Sequence, residues 1–337
     1  MTVFRRALLF SATFLVLLLV CPAVMAWDSG GHELIATMAV DRLNPKARQA
    51  VNELAREMVN PEETYDAVSV ACWMDDLKKQ DSAMPWHGMF QTWHYIDIPI
   101  DSRDPMPSFE PGQDNDVHGD VVQALKRALV VLKGGTDPYV KSKAMACAMV
   151  MHLVGDIHQP LHCATKYFIS HQELHQDRGG NAEGVVNGPS DETKFNLHAF
   201  WDTAYRASFD EASGRVVLDP NLQDARRHDP ERFRALATSL EAEPPPADAN
   251  LSPDFDAWAQ EGNAIARDFV YRELTSTESK KYCRLSSGYV TQANAIAKRR
   301  LVLAAWRLAA LLNDTLGADQ PVSPPPSYPA GPPAVQF

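Results

Sequence analysis

The histidines and aspartates of this chain cluster in a way that suits metal chemistry. His152, Asp156, His158 and His162 all fall within one short run that ends Gly155-Asp156-Ile157-His158-Gln159-Pro160-Leu161-His162. His152 and Asp156 are four residues apart, so on a helix they share one face, with an imidazole and a carboxylate a few ångströms from each other. Gln159-Pro160 ends that helix and turns His162 back toward the same region. A second pair with this spacing, His198 and Asp202, lies in Asn196-Leu197-His198-Ala199-Phe200-Trp201-Asp202. One such pair is ordinarily a surface ion pair. Two of them, with His162 close behind the first, point to a borderline divalent ion such as zinc, which accepts both imidazole and carboxylate.

Three further segments carry ligand-type residues. His32 lies five residues after Trp27, Asp75 sits in Cys72-Trp73-Met74-Asp75-Asp76-Leu77-Lys78, and His94 sits in Trp93-His94-Tyr95-Ile96-Asp97. Each alone reads as readily as a core or surface residue. His94, among aromatics, has the ordinary reading of a hydrogen-bonded buried histidine.

The elements that must position these groups read as helices. Leu34, Ile35, Met38, Ala39 and Leu43 follow helical spacing after Gly30-Gly31, and Val121, Leu125, Leu129 and Leu132 repeat it within 120–133. Residues 141–156 form an Ala- and Met-rich helix, and 291–313 a long one with Leu301, Ala305, Leu308 and Leu312 on one face. Strand signals are few, and Tyr95 to Ile100 is the best of them. Residues 99–116 and 241–253 are irregular, and 164–196, with Gly179-Gly180-Asn181, reads as a long functional loop or small hairpin. No internal repeat and no linker between cores is visible. The expectation is an all-α fold: a single mainly helical domain over 27–320, with long loops and at most a short hairpin. A Pro-rich disordered tail follows at 321–337.

The N-terminus reads as a secretory signal peptide, 1–26. Arg5 and Arg6 precede the apolar run Ala7 to Val20, Pro22 breaks it, and Val24-Met25-Ala26 precedes the cut. Cleavage would expose Trp27 and release the chain to a periplasm or the external medium. No second run is long enough to span a membrane. Removing 1–26 takes away two arginines and no acid, so the formal charge moves from −11 to −13. That balance excludes the broad basic face of a duplex-DNA binder and requires any attraction for phosphate to be local. Cys72, Cys147, Cys163 and Cys283 remain, enough for two disulfides in any of three pairings, and none forms a close zinc-binding pair.

Taken together, the Trp27-x4-His32 start, the 155–162 run, the Gly179-Gly180-Asn181 loop and Asn196-Leu197-His198-x2-Trp201-Asp202 resemble the S-one/P-one nuclease family, the trinuclear-zinc single-strand nucleases and 3'-nucleotidases. The likeness runs from Trp27 through Arg307-Leu308-Ala309-Ala310-Leu311-Leu312-Asn313. It implies the helical fold shared with zinc phospholipase C and three Zn²⁺ per chain. Asp75, His94, His152 and Asp156 would hold the first ion and His162, His198 and Asp202 the second. The free amine and carbonyl of Trp27, with His32 and Asp156, would hold the third, Asp156 being shared. Three carboxylates against three divalent ions leave the cluster net positive despite the acidic chain.

The resemblance also implies roles. Asp75, Lys78 and Asp156 would be catalytic: a bridging hydroxide attacks phosphorus in line, Asp75 orients it, and Lys78 stabilises charge on the phosphoryl oxygens. Tyr95 would stack a base and Asp97 bond its edge, with Asn181 nearby, so that unpaired bases are preferred. His158, His171 and His175 are supporting or loop residues. The expected substrates are single-stranded DNA and RNA, cut to 5'-phosphate products, and 3'-nucleotides. Neither a membrane nor an obligatory protein partner is expected. A zinc phospholipase C and a secreted zinc-binding protein without catalysis are the alternatives.

Overall fold

The computed structural model describes residues 27–60, 63–79, 90–100, 119–170, 173–187, 194–222, 230–242, 244–245, 249–276 and 282–318. The expected signal peptide, 1–26, and tail, 321–337, lie outside these residues, as does His171.

The architecture is mainly helical. Helix α1 (Ser29–Asp41) starts where the Asp28 carboxylate accepts the Gly31 N–H at 3.1 Å, and its residues from Gly30 to Ala39 are buried. Helix α2 (Pro45–Glu57) is capped by Asn44 with Pro45 at its first position, and buries one stripe of Ala47, Val51 and Ala55. After the short α3 (Trp73–Lys79) come α4 (Val121–Leu132), capped by Asp120, and α5 (Lys143–Asp156), capped by Ser142. Helix α5 is buried almost all round, as its Ala- and Met-rich sequence requires, and packs against α1, α2 and α4. Helices α6 (Leu197–Thr203), α7 (Pro230–Glu241), α8 (Phe255–Ile265) and α9 (Ser287–Leu316) complete the set among the described residues. The 30-residue α9 runs against α1 and α5 and closes the core. Among the described residues, no helix is long and apolar enough to cross a membrane.

Two expectations about strands need correction. More pairing is present than one short hairpin: β1 (Val59–Asn60) pairs β2 (Glu63–Thr64), β3 (Tyr167–Ser170) pairs β4 (Glu173–Gln176), and β7 (Ala207–Asp210) pairs β8 (Arg215–Leu218). A mixed sheet joins β5 (Gly184–Val186), β6 (Lys194–Asn196), β9 (Thr275–Ser276) and β10 (Cys283–Arg284), with β5 and β10 parallel. Strands of two to four residues are too short to carry a readable alternation. Conversely, Tyr95 to Ile100 is not a strand. It leaves a 3-10 turn (Thr92–His94) in extended form and makes one isolated bridge, Pro99 with Thr165. Its N–H groups at Ile96 and Ile100 donate to His162 O and Thr165 O, but Pro99 has no N–H to extend a ladder.

Among the described residues, Cys72, Cys147, Cys163 and Cys283 stand as free thiols. Cys147 and Cys163 are fully buried, Cys163 Sγ contacts Ile157 O at 3.4 Å, and the Cys283 thiol lies 3.0 Å from Glu183 Oε1. Burial pushes the Cys147 and Cys163 thiols up to about 12.

Candidate metal centre

Six elements deliver the candidate ligands to one interior region. His32 lies in the first turn of α1, Asp75 in α3, His94 at the end of its 3-10 turn, His152 and Asp156 on α5, His162 in a 3-10 turn (Pro160–Cys163), and His198 and Asp202 on α6. All eight residues are at most 5% exposed. Gly155 permits the approach of α1, because a Cβ there would lie 2.9 Å from His32 Nδ1.

Three sets of side-chain donors converge closely enough to share an ion: His32, Asp75 and His152; His94, His152 and Asp156; and His162, His198 and Asp202. The third brings together His162, His198 and Asp202, the residues that the resemblance groups around one ion. The other two share His152 and merge around Asp156. Asp156 Oδ1 faces His32 Nε2 at 3.4 Å, while Oδ2 faces His94 Nδ1 at 2.9 Å and His152 Nε2 at 3.2 Å. His32 stacks on His152 with ring centroids 4.0 Å apart. Trp27 is fully buried beside this group, its indole N–H donating to Gly155 O at 2.9 Å.

Main-chain carbonyls fix which nitrogen each ring presents. His152 Nδ1 lies 2.6 Å from Ala71 O, His162 Nδ1 2.7 Å from His94 O, and His198 Nδ1 2.7 Å from Gly179 O. With Nδ1 carrying the proton, Nε2 of each ring offers a lone pair inward. His162 Nε2 and His198 Nε2 then face each other at 3.1 Å, two acceptors with no proton between them. Both ring nitrogens of His32 and Asp156 Oδ1 are buried without a hydrogen bond. Buried lone pairs left in this state are costly unless a cation sits among them. The residues therefore fit divalent metal, and the imidazole–carboxylate donor set is one that zinc takes.

The electrostatics follow the packing. Burial pushes the Asp202 carboxyl well above the usual carboxylate range, opposed by a 2.7 Å bond from Gln159 Nε2 and reinforced by Asp28, Asp75 and Asp156. Burial acts the same way on Asp156, but His152, His32 and His94 outweigh it and hold that carboxyl well below its ordinary value. His158 turns away from the cluster. Its Nδ1 lies 2.7 Å from Val154 O and its Nε2 accepts from Arg307 at 2.9 Å, while burial, Arg300 and Arg307 keep it neutral.

A family model described as S1/P1 Nuclease matches residues 27–317. The chain belongs to the S1/P1 nuclease family. This nuclease, a hydrolase of phosphodiester bonds, is 28% identical to Endonuclease 2 of Arabidopsis thaliana over 316 residues, 89% of this chain and 94% of that protein. Endonuclease 1 of Arabidopsis thaliana is 25% identical over 320 residues, 89% and 90% of the two chains. Nuclease S1 of Aspergillus oryzae (strain ATCC 42149 / RIB 40) is 27% identical over 180 residues, 52% and 53%.

Beside the candidate metal centre of this nuclease lies a cavity of about 230 Å³. Tyr95, Asp97, Gln176, Arg178, Asn181 and His198 line it. The three expected substrate-binding residues, Tyr95, Asp97 and Asn181, are thus brought together next to a candidate ligand. Lys78 lies one turn after Asp75 on α3. His175 is on β4, opposite Phe168.

Sequence reasoning missed several supporting groups. Gln159 was read only as a helix terminator, yet it bonds Asp202. Asp28 forms a partly buried ion pair with Arg206 at 2.8 Å and accepts from Tyr205 at 2.7 Å, and its N–H donates to Asp202 O, so the stretch after Trp27 is pinned. Arg300 and Arg307 clamp the 156–162 turn from α9 through His158 and Glu261. For Arg300 and Arg307 the only signal was charge inside an otherwise apolar helical stretch.

Proposed function

We propose that this nuclease is a secreted zinc enzyme that hydrolyses single-stranded DNA and RNA to 5'-phosphate products and removes phosphate from 3'-nucleotides. The observation that carries the metal is the facing pair of Nε2 lone pairs on His162 and His198. His162, His198 and Asp202 would hold one ion. Asp75, His94, His152 and Asp156 would hold a second, and His32, Asp156 and the exposed amine and carbonyl of Trp27 a third. Bound zinc supplies positive charge that attracts the phosphodiester and lowers the pKa of water.

The chain's own groups do the rest. Asp75 orients the attacking water by accepting its proton in a hydrogen bond, at the edge of the cluster facing α3. Lys78 brings a positive charge to the phosphoryl oxygens as they gain charge. Tyr95 stacks the base of the departing nucleoside, and Asp97 and Asn181 bond its edge. At about 230 Å³ the cavity is smaller than the usual drug-sized pocket and suits one planar ring. A base held in this way must leave its partner strand, which favours single strands over duplex with little sequence preference. Secretion is supported by the leader-like sequence that ends directly before Trp27.

The test is nucleotide release from one DNA sequence offered as a single strand and as a duplex, with and without EDTA. Faster, EDTA-sensitive release from the single strand is expected. Equal rates on both forms would overturn the strand preference, and release unaffected by EDTA would overturn the metal.

A further inference from the structure

Three consecutive residues beside the cavity have left-handed backbone: Arg178 with φ 58°, Gly179 with φ 60° and Gly180 with φ 81°. Glycine tolerates this conformation and arginine does not favour it. Arg178 is the only non-glycine residue with positive φ among the described residues. The turn is heavily braced. Asn181 donates to Arg178 O through its side chain at 2.8 Å, and Asp177 accepts Gly180 N–H at 3.1 Å and the Tyr271 hydroxyl at 2.6 Å. Gly179 cannot be shifted cheaply, since its carbonyl receives His198 Nδ1 at 2.7 Å and a Cβ on it would lie 2.5 Å from Leu161 O.

The bracing explains how the turn persists, not why its first residue is arginine. The Arg178 side chain is exposed, lines the cavity and makes no hydrogen bond or ion pair with any described residue. It is an exposed cation on the lining of a base-sized pocket in a chain of formal charge −11. A guanidinium presents a planar fork that matches a phosphate.

We propose that Arg178 binds a second phosphate, the 5'-phosphate of the nucleoside whose base fills the cavity. That nucleoside is flanked by two phosphates in a polynucleotide. Its 3'-phosphate would go to the metal ligands, of which His198 lines the cavity, and Arg178, the one arginine or lysine among the lining residues, is left for its 5'-phosphate. The substrate class this selects is an oligonucleotide, or a 5'-phosphorylated dinucleotide, over a dinucleoside monophosphate. The proposal rests on the reading that the cavity takes the departing nucleoside.

The test compares TpT with pTpT, which differ by that one phosphate, in the wild type, Arg178→Gly and Arg178→Lys. Glycine relieves the backbone while removing the charge, so a fall in Tm is not expected. In the wild type kcat/KM should be about tenfold higher for pTpT. Arg178→Gly should bring the two substrates close to equality by losing activity on pTpT alone, and Arg178→Lys should keep most of the preference. A wild type without preference, or an Arg178→Gly variant that loses equally on both, would overturn the proposal. A separate arm measures anisotropy of a labelled thymidine oligonucleotide in EDTA, where loss of Arg178 should make the slope of log affinity against log salt shallower by about 0.7. If the wild type cleaves neither dinucleotide, the proposed function fails, and an unchanged salt slope in the binding arm overturns the role of Arg178 as well.

Discussion

Gln159 Nε2 donates to Asp202 Oδ1 at 2.7 Å, while Gln159 Oε1 accepts Leu161 N–H at 2.6 Å. One side chain thus ties the turn that carries His162 to the carboxylate that would share its ion. Gln159→Ala should weaken metal binding at the His162–His198–Asp202 set by about 10- to 100-fold. Titration against a competing chelator would measure it. Unchanged affinity would show that the bond only shapes the turn.

Asp156 presents its two oxygens to different groups, Oδ1 toward His32 and Oδ2 toward His94 and His152. Asp156→Ala should therefore lose two ions together and keep the one held by His162, His198 and Asp202. Elemental analysis of the purified variant decides this. Loss of a single ion would contradict a shared carboxylate.

A residue added before Trp27 should remove the amine as a ligand without disturbing the core. Trp27 is held by its indole bond to Gly155, and Asp28 by Arg206 and Tyr205, none of which involves the amine. The extended chain should melt near the wild-type temperature once both are stripped of metal, yet bind one ion fewer and turn over poorly. A full metal complement in the extended chain would count against the amine.

His158 gives a pH dependence of stability. Burial, with Arg300 and Arg307 beside it, holds its pKa well below the ordinary 6.5. Below pH 6.5 the unfolded chain takes up a proton at this residue that the folded chain excludes. The unfolded state then binds more protons, so stability rises with pH through this window and falls on acidification. In EDTA, the wild type should lose up to about 1.4 kcal/mol more per pH unit than His158→Gln as pH falls from 6 to 5. Urea unfolding at several pH values measures the difference, and parallel pH profiles would contradict it.

Much of the site was legible because its ligands sit in pairs on helices. His152 with Asp156 and His198 with Asp202 announce a shared face through spacing alone, and both pairs lie on helices in the structure. What was not legible depends on contacts distant in sequence. Arg300 meets His158 across 142 positions and Arg206 meets Asp28 across 178, and neither leaves a local pattern. The segment 95–100 read as a strand because Tyr95, Ile96, Ile98 and Ile100 are β-forming, yet its partner is the irregular stretch 162–165. The left-handed turn at Arg178 was hidden in the same way, since the two glycines explain a turn but not an arginine opening it.

The most direct test of the zinc nuclease is metal content of the chain beginning at Trp27, measured beside nucleotide release from single-stranded DNA. About three zinc ions per chain are expected, with release that EDTA abolishes and zinc restores. Fewer than about two ions per chain, or release indifferent to EDTA, would contradict it.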